Sequence, residues 1–528
     1  MSDTARVPRE LCWGVVGSIL VAVGAFGVAD IPRNSHPAQR WFLDVLTYGH
    51  GKTLSALVFW TGVATLVFCW MRVGRRLLSR DDVVGTTPTV RQMRWAALGW
   101  AAPLLVTVPI YSRDVYAYLA QAAVFREGFN PYTDGPVHYP GPLLDSMAQV
   151  WAATTAPYGP AFVALMRGVV GVTGDHVILG VLAVRLVLLP GLLLALWAIP
   201  RLARHFGASA QTGLWLALLN PLILIHVVGG PHVELLMMGL LVAGVTLVVE
   251  RRHLWGLVVL GLAVSIKITA GVAIPFVLWI WLAHIRHARA QSHPETDAQV
   301  AQIPLWRLGW RTVLGVFAAT VAIPVAVFAF WTTVTGLGMG WLSGLGWADR
   351  IINWLTVPTL VGHIVTWIAA PFTALNLQPV LVVTRLIGAV ALAGILVWMW
   401  WRARAGERVA MTSMLWAMFA VLLLEPSTLP WYYTWVLCLA AAVTLPNAVR
   451  AWIIGASVVG LIIFQPDDSI VLYKPIELMV ALALGLLAGW SLQHSDPLRI
   501  GAAARWAWFG RAHQSDAESV GAVAVRAP

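Results

Sequence analysis

Runs of about 20 apolar residues recur along almost the whole chain, each long enough to cross the hydrocarbon core of a bilayer. A segment in hydrocarbon must satisfy its own backbone donors and acceptors, so continuous runs of this length dictate helices. Barrel strands would instead alternate over about ten residues. Of the 528 residues, 59% are hydrophobic and 11% charged, against about 25% charged in soluble domains. The expected fold is all-α: a polytopic membrane helical bundle of about 14 transmembrane helices.

These features exclude several classes. Cys12, Cys69 and Cys438 lie in or beside apolar runs and form no CxxC, so neither a disulfide framework nor a zinc cluster is expected. The net charge of +11 sits in short loops and tails. The positive-inside rule gives these to the cytoplasm, and with no basic domain outside the membrane, nucleic acid is not an expected partner. The first apolar run lacks a cleavage pattern and reads as a retained helix.

Charge then sets the sides. Arg72, Arg75, Arg76, Arg80, Arg91 and Arg94 form a basic loop that belongs inside. A span over 95–110 therefore exits on the outer face, where the polar, aromatic and proline-rich stretch 111–176 emerges. Within it, 159–172 is too short to span and carries Arg167, so it is expected to lie along the interface, as is the helix that begins at Ser112. The run 177–200 returns to Arg201, Arg204 and His205 inside, and the alternation continues to 474–492, with 354–371 re-entrant or interfacial. Residues 1–492 read as one membrane domain and 493–528 as a tail, with both termini cytoplasmic.

This topology collects the unusual polar residues on the outer side: Asp114, Tyr158, His232 with Glu234, Lys267, Asp349 with Arg350, Glu425, and Asp467 with Lys474. Asp114, Tyr118 and Gln121 share one face of a helix at i, i+4 and i+7. Asp114 either simply favours the helix dipole or serves as a general base where a span meets the interface. Tyr158, in Ala156-Pro157-Tyr158-Gly159-Pro160, either begins a helix or touches substrate. His232-Val233-Glu234 shares HxE with zinc deaminases, but no PCxxC follows. The remaining choices there are a tight turn or a substrate contact, and a carboxylate at the start of a span is costly unless used. The glycines between 336 and 346 follow no strand, which excludes a dinucleotide loop. Trp431 and Tyr432 suit either an interfacial aromatic belt or a sugar face. Lys267, Arg350 and Lys474 are either snorkelling cations or, together, a phosphate site.

The segments SRDVYAYLAQ, NPY and APYGP, followed by NPLILIHVVGGPHVE, SIKITAGVAIPF, IINWLTVP and LPWYYTW, resemble the actinobacterial polyprenyl-phosphomannose-dependent α-(1→6)-mannosyltransferases. The resemblance runs from about residue 45 to 480 and is closer to the branch that elongates the mannan backbone of lipomannan and lipoarabinomannan. It implies a GT-C glycosyltransferase in the plasma membrane, with a catalytic aspartate in its first outer loop, matched here by Asp114 of the Ser112-Arg113-Asp114 triplet. It further implies a polyprenyl-phosphate-mannose donor, a lipid-anchored mannan acceptor and an inverting reaction. Arg113, Tyr118, Tyr158, His232, Glu234, Lys267, Asp349, Arg350, Glu425, Trp431, Tyr432 and Lys474 are the expected substrate contacts. Val233 departs from the pattern, which has asparagine there. A phosphodiester donor carries one negative charge, so no obligatory metal and no other cofactor is expected. The alternatives are a transferase of the same type using another lipid-linked sugar, and a lipid-linked-sugar transporter or flippase. The second is disfavoured because the polar groups gather on one face and no internal repeat is visible.

Overall fold

The computed structural model describes residues 7–29, 31–33, 43–78, 87–291, 308–346, 351–467, 469–492 and 494. Among them the chain is helical throughout, apart from turns and one isolated bridge between Phe464 and Ile470. Helices α1 (Arg9–Val28) and α2 (Gly49–Leu78) pack together, and α3 (Val90–Ala101) begins at a capping box in which Thr89 and Gln92 satisfy each other's backbone amides. The expected span over 95–110 is the end of α3 and one 3-10 turn, Ala102–Leu105; from Val106 the chain is non-helical up to Asp114.

The outer stretch contributes α4 (Asp114–Arg126) and α5 (Pro160–Thr173). Helix α4 is buried around its whole circumference from Val115 to Phe125, so its apolar face meets protein and not an open bilayer surface. Helix α5 is buried along one face only. There follow α6 (Val177–His205) and α7 (Ala210–Ala217), then a broken segment, Pro221–Gly229, that ends in a π-helical turn. Asn220 makes that break: its side chain accepts the Leu222 N–H at 3.0 Å and donates to Ser457 Oγ at 2.9 Å, and Pro221 cannot continue the preceding helix. Next come α8 (Glu234–Val249), α9 (His253–Ile266), a 3-10 segment Ile268–Ala273, and α10 (Ile274–Gln291). The rest are α11 (Trp310–Thr335), α12 (Val357–Ala369), α13 (Leu377–Ala403), α14 (Glu407–Leu424), α15 (Tyr433–Ala440), α16 (Asn447–Ile463) and α17 (Pro475–Ser491).

Seven described helices are long and apolar enough to cross a membrane, or eight if the pair bent by 44° around Asn220 counts as one span. The sequence suggested about 14 because it counts apolar runs. Four of those runs form helices of only 10–17 residues, α8, α9, α16 and α17, cut short where Pro, Asn or a charged residue interrupts the backbone ladder. The breaks matter for function, because the polar residues sit on them.

Candidate active site

The non-helical link between the Ala102–Leu105 turn and α4 is forced into an unusual path. Tyr111 has φ of 69°, a conformation that costs a bulky residue about 1–3 kcal/mol and persists only where its surroundings over-determine it. Those surroundings are evident: Tyr111 OH donates to Leu461 O at 3.0 Å, and its ring stacks on His226 at 4.5 Å. The next residues open α4. The Asp114 N–H donates to Ser112 Oγ at 3.1 Å, and the Asp114 side chain is left about a quarter exposed. Burial, and then the nearby Glu234 charge, push the Asp114 carboxyl up to about 6, against the pull of Ser112 and Lys267.

The second carrier is the break between the Pro221–Gly229 segment and α8. A Cβ on Gly230 would lie 2.3 Å from Ile110 O, so only glycine lets this loop lie against the first carrier. His232 is fully buried; its Nδ1 bonds His226 O, and its ring stacks on Trp431 at 4.0 Å. Burial drives this imidazole down to about 3, so it is neutral. A carbonyl can only accept, so Nδ1 carries the proton and Nε2 presents its lone pair. That Nε2 has no partner among the described residues and stands 3.6 Å from Asp114 Oδ2. Val233 contributes through its backbone, donating its N–H to Tyr118 OH at 3.4 Å.

Glu234 opens α8, is buried, and pairs through Oε1 with Lys267 Nζ at the bend after α9; its Oε2 has no partner among the described residues. The Lys267 ammonium also lies 3.9 Å from the Tyr432 ring centroid and 5.2 Å from that of Trp435. Glu425 accepts from Thr428 Oγ1 at 2.9 Å, and burial pushes its carboxyl up to about 7. Tyr158 closes the cluster, with its ring edge-on to Tyr118 at 5.1 Å. Its neighbour Gly159 donates its N–H to Ile266 O at 3.0 Å, and a Cβ there would lie 2.2 Å from Ser265 O. That close approach fixes the Pro157–Pro160 turn against the lysine bend.

Asp114, Tyr118, Tyr158, His232, Glu234, Lys267, Glu425, Trp431 and Tyr432 therefore form one cluster, although they come from five separate stretches of chain. Other expectations are corrected. Lys474 caps α17 and lines a different cavity of ≈ 1040 Å³ between α2, α16 and α17, together with Lys52, Arg72 and Arg75. The three-cation phosphate site is thus not assembled around Lys267, which is itself paired with Glu234. Arg113 donates to Ser146 O at 2.8 Å and to Ile31 O at 3.4 Å. Trp431 is buried against His232, so it is neither a belt residue nor an open sugar face. Asp349 and Arg350 lie outside the described residues. Sequence reasoning passed over His226, Tyr111 and Arg185; the available signal was a polar or charged residue inside an apolar run.

Among the described residues no group of three or more His, Cys, Asp or Glu side chains is arranged to hold a metal ion. What the cluster offers is a carboxylate facing an unprotonated imidazole nitrogen, a buried ion pair, and free acceptor atoms suited to the hydroxyls of a polyol.

Residues 11–283 match the family described as "Alpha-(1->6)-mannopyranosyltransferase, N-terminal domain", and residues 358–494 match "MptB C-terminal domain". The chain is 39% identical to alpha-(1->6)-mannopyranosyltransferase A of Mycobacterium tuberculosis, over 92% of its own length and 90% of the relative's. It is 32% identical to the protein of that name in Corynebacterium glutamicum, over 89% and 95%. To alpha-(1->6)-mannopyranosyltransferase B of Corynebacterium glutamicum it is 29% identical, over 81% and 72%. No solved structure matches the chain.

Proposed function

We propose that this chain, which belongs to the alpha-(1->6)-mannopyranosyltransferase family, is a plasma-membrane mannosyltransferase of the GT-C type with Asp114 as its general base. Its donor is polyprenyl-phosphate-mannose and its acceptor the growing α-(1→6)-mannan of lipomannan and lipoarabinomannan. The active site opens to the outer face, and both termini are cytoplasmic.

The single observation that carries this reading is the Asp114–His232 pair. With His232 neutral and its proton on Nδ1, Oδ2 of the ionised Asp114 and Nε2 are two acceptors 3.6 Å apart. As the acceptor hydroxyl attacks the anomeric carbon, its proton passes to Asp114. The new C–O bond forms while the bond from that carbon to the phosphate oxygen breaks, and the polyprenyl phosphate leaves with the electron pair. The protonated Asp114 then has an acceptor waiting in His232 Nε2, so the reaction makes a hydrogen bond that the resting site lacks. Charge is balanced as well: Asp114 loses a negative charge as the phosphate gains one. Lys267, held against Glu234 and the Tyr432 ring, is the cation whose charge acts on Asp114, and it screens the leaving group. No metal is required by this scheme.

The test is transfer of labelled mannose from polyprenyl-phosphate-mannose to a short α-(1→6)-mannoside in membranes carrying equal amounts of wild type or Asp114→Asn. A fall of roughly a hundredfold or more is expected. Full activity in the variant would remove Asp114 from the chemistry, and a folded wild type that transfers no mannose would point to another lipid-linked sugar.

A further inference from the structure

The catalytic cluster is carried by two interruptions in the helical bundle, and one buried cation touches both. Arg185 lies eight residues past Val177 on α6, about 12 Å along the helix. It is 3% exposed, and among the described residues no carboxylate pairs with it. A charge in an apolar helix is costly unless something uses it. Its guanidinium donates to Thr107 O through one nitrogen and to Gly229 O at 2.8 Å through another. Both carbonyls lie where a helix has stopped, so neither has the ladder partner that a continuing helix would supply. Thr107 lies on the non-helical link seven residues before Asp114, and Gly229 lies three before His232 and five before Glu234.

We propose that Arg185 is a positioning residue: its guanidinium clamps the Thr107 and Gly229 breaks together and so sets the separation of Asp114 from His232 and Glu234. A planar fork with fixed donor directions suits two carbonyls on different segments, whereas a lysine is a single point charge. An ordinary ion pair would be replaceable by a well-packed apolar side chain; this arrangement is not, because two buried carbonyls would lose their donor. Arg185 touches neither sugar nor phosphate and acts only through the geometry it fixes. The inference rests on the proposed role of Asp114.

The experiment compares full-length wild type, Arg185→Lys, Arg185→Met and, as a control on the chemistry, Asp114→Asn. Each is reconstituted in liposomes with polyprenyl-phosphate-mannose and a short α-(1→6)-mannoside, and activity is expressed per folded molecule. Arg185→Met is expected to lose roughly 10- to 100-fold in kcat with donor KM changed less than about threefold, and Arg185→Lys to recover part of the loss. In both, amide hydrogen exchange should rise in peptides covering 106–113 and 229–233 together, and the acid limb of the pH profile should move to lower pH as Asp114 parts from Glu234. Wild-type kcat and pH profile in any folded variant would overturn the proposal. So would a lower Tm with unchanged turnover per folded molecule, or failure of both variants to fold, since either makes the residue structural alone. If exchange rises in both segments while Asp114→Asn keeps full activity, the clamp stands and the reading of Asp114 fails.

Discussion

Helix α9 begins at His253 and ends beside Lys267, so its two ends touch two clusters of imidazoles and carboxylates, about 20 Å apart along the helix. The two are similar in composition and opposite in bonding. At the His253 end, His253 Nε2 is 2.8 Å from His284 Nδ1; His284 Nε2 is 3.1 Å and His205 Nε2 2.8 Å from the same Glu407 oxygen. This chain of contacts ties α6, α9, α10 and α14 together. At the Lys267 end, His232 Nε2 and Glu234 Oε2 are buried with no partner among the described residues, and Asp114 faces the first of them. A satisfied polar network rigidifies, while buried unsatisfied atoms cost free energy and persist where a ligand completes them. Residue type alone does not separate a clasp from a site; hydrogen-bond satisfaction does.

Four changes would break or sharpen that contrast. Lys267→Met should be the most damaging, because it leaves Glu234 buried and unpaired, a loss of about 3–5 kcal/mol; it should appear as a lower folded yield and turnover close to background, with Lys267→Arg partly restoring both. His232→Gln should retain the fold but lose roughly tenfold in kcat, since about 1.4 kcal/mol of hydrogen bonding to the protonated base is removed. In wild type, kcat/KM should rise with pH through a midpoint near 6, because the base must be ionised and burial with Glu234 raises its pKa to about 6. Glu234→Gln deletes one of those raising charges, so the limb should shift to lower pH; a limb that stays in place would separate Glu234 from Asp114. Glu407→Gln should matter least, lowering Tm while leaving turnover per folded molecule within about twofold of wild type. A large kinetic defect there would show that the two ends of α9 are coupled.

Much of the site was legible because it lies on breaks between apolar runs, where a lone carboxylate or lysine stands out. Asp114, Glu234, Lys267 and Glu425 were all visible in this way. Their environments were not. Trp431 reads as a belt or stacking residue until His232 is seen lying on its face. Lys474 looks equivalent to Lys267, yet the start of α17 stands against α2 and places it in another cavity. Arg185 was hidden because hydropathy averages one charge into an apolar run, while its meaning depends on two carbonyls 78 and 44 residues away.

What the sequence determined by itself was the all-helical architecture and many of the points at which it is interrupted, though not the stop after Leu105 or the break at Asn220. Both follow from local properties: apolar length, and the inability of Pro, Asn and Gly to continue a helix. The tertiary structure decided which interruptions meet. The Asp114–His232 approach, the Glu234–Lys267 pair and the Arg185 clamp each join positions between 33 and 118 residues apart. Contacts at such separations depend on how helices pack, and no local pattern specifies that packing.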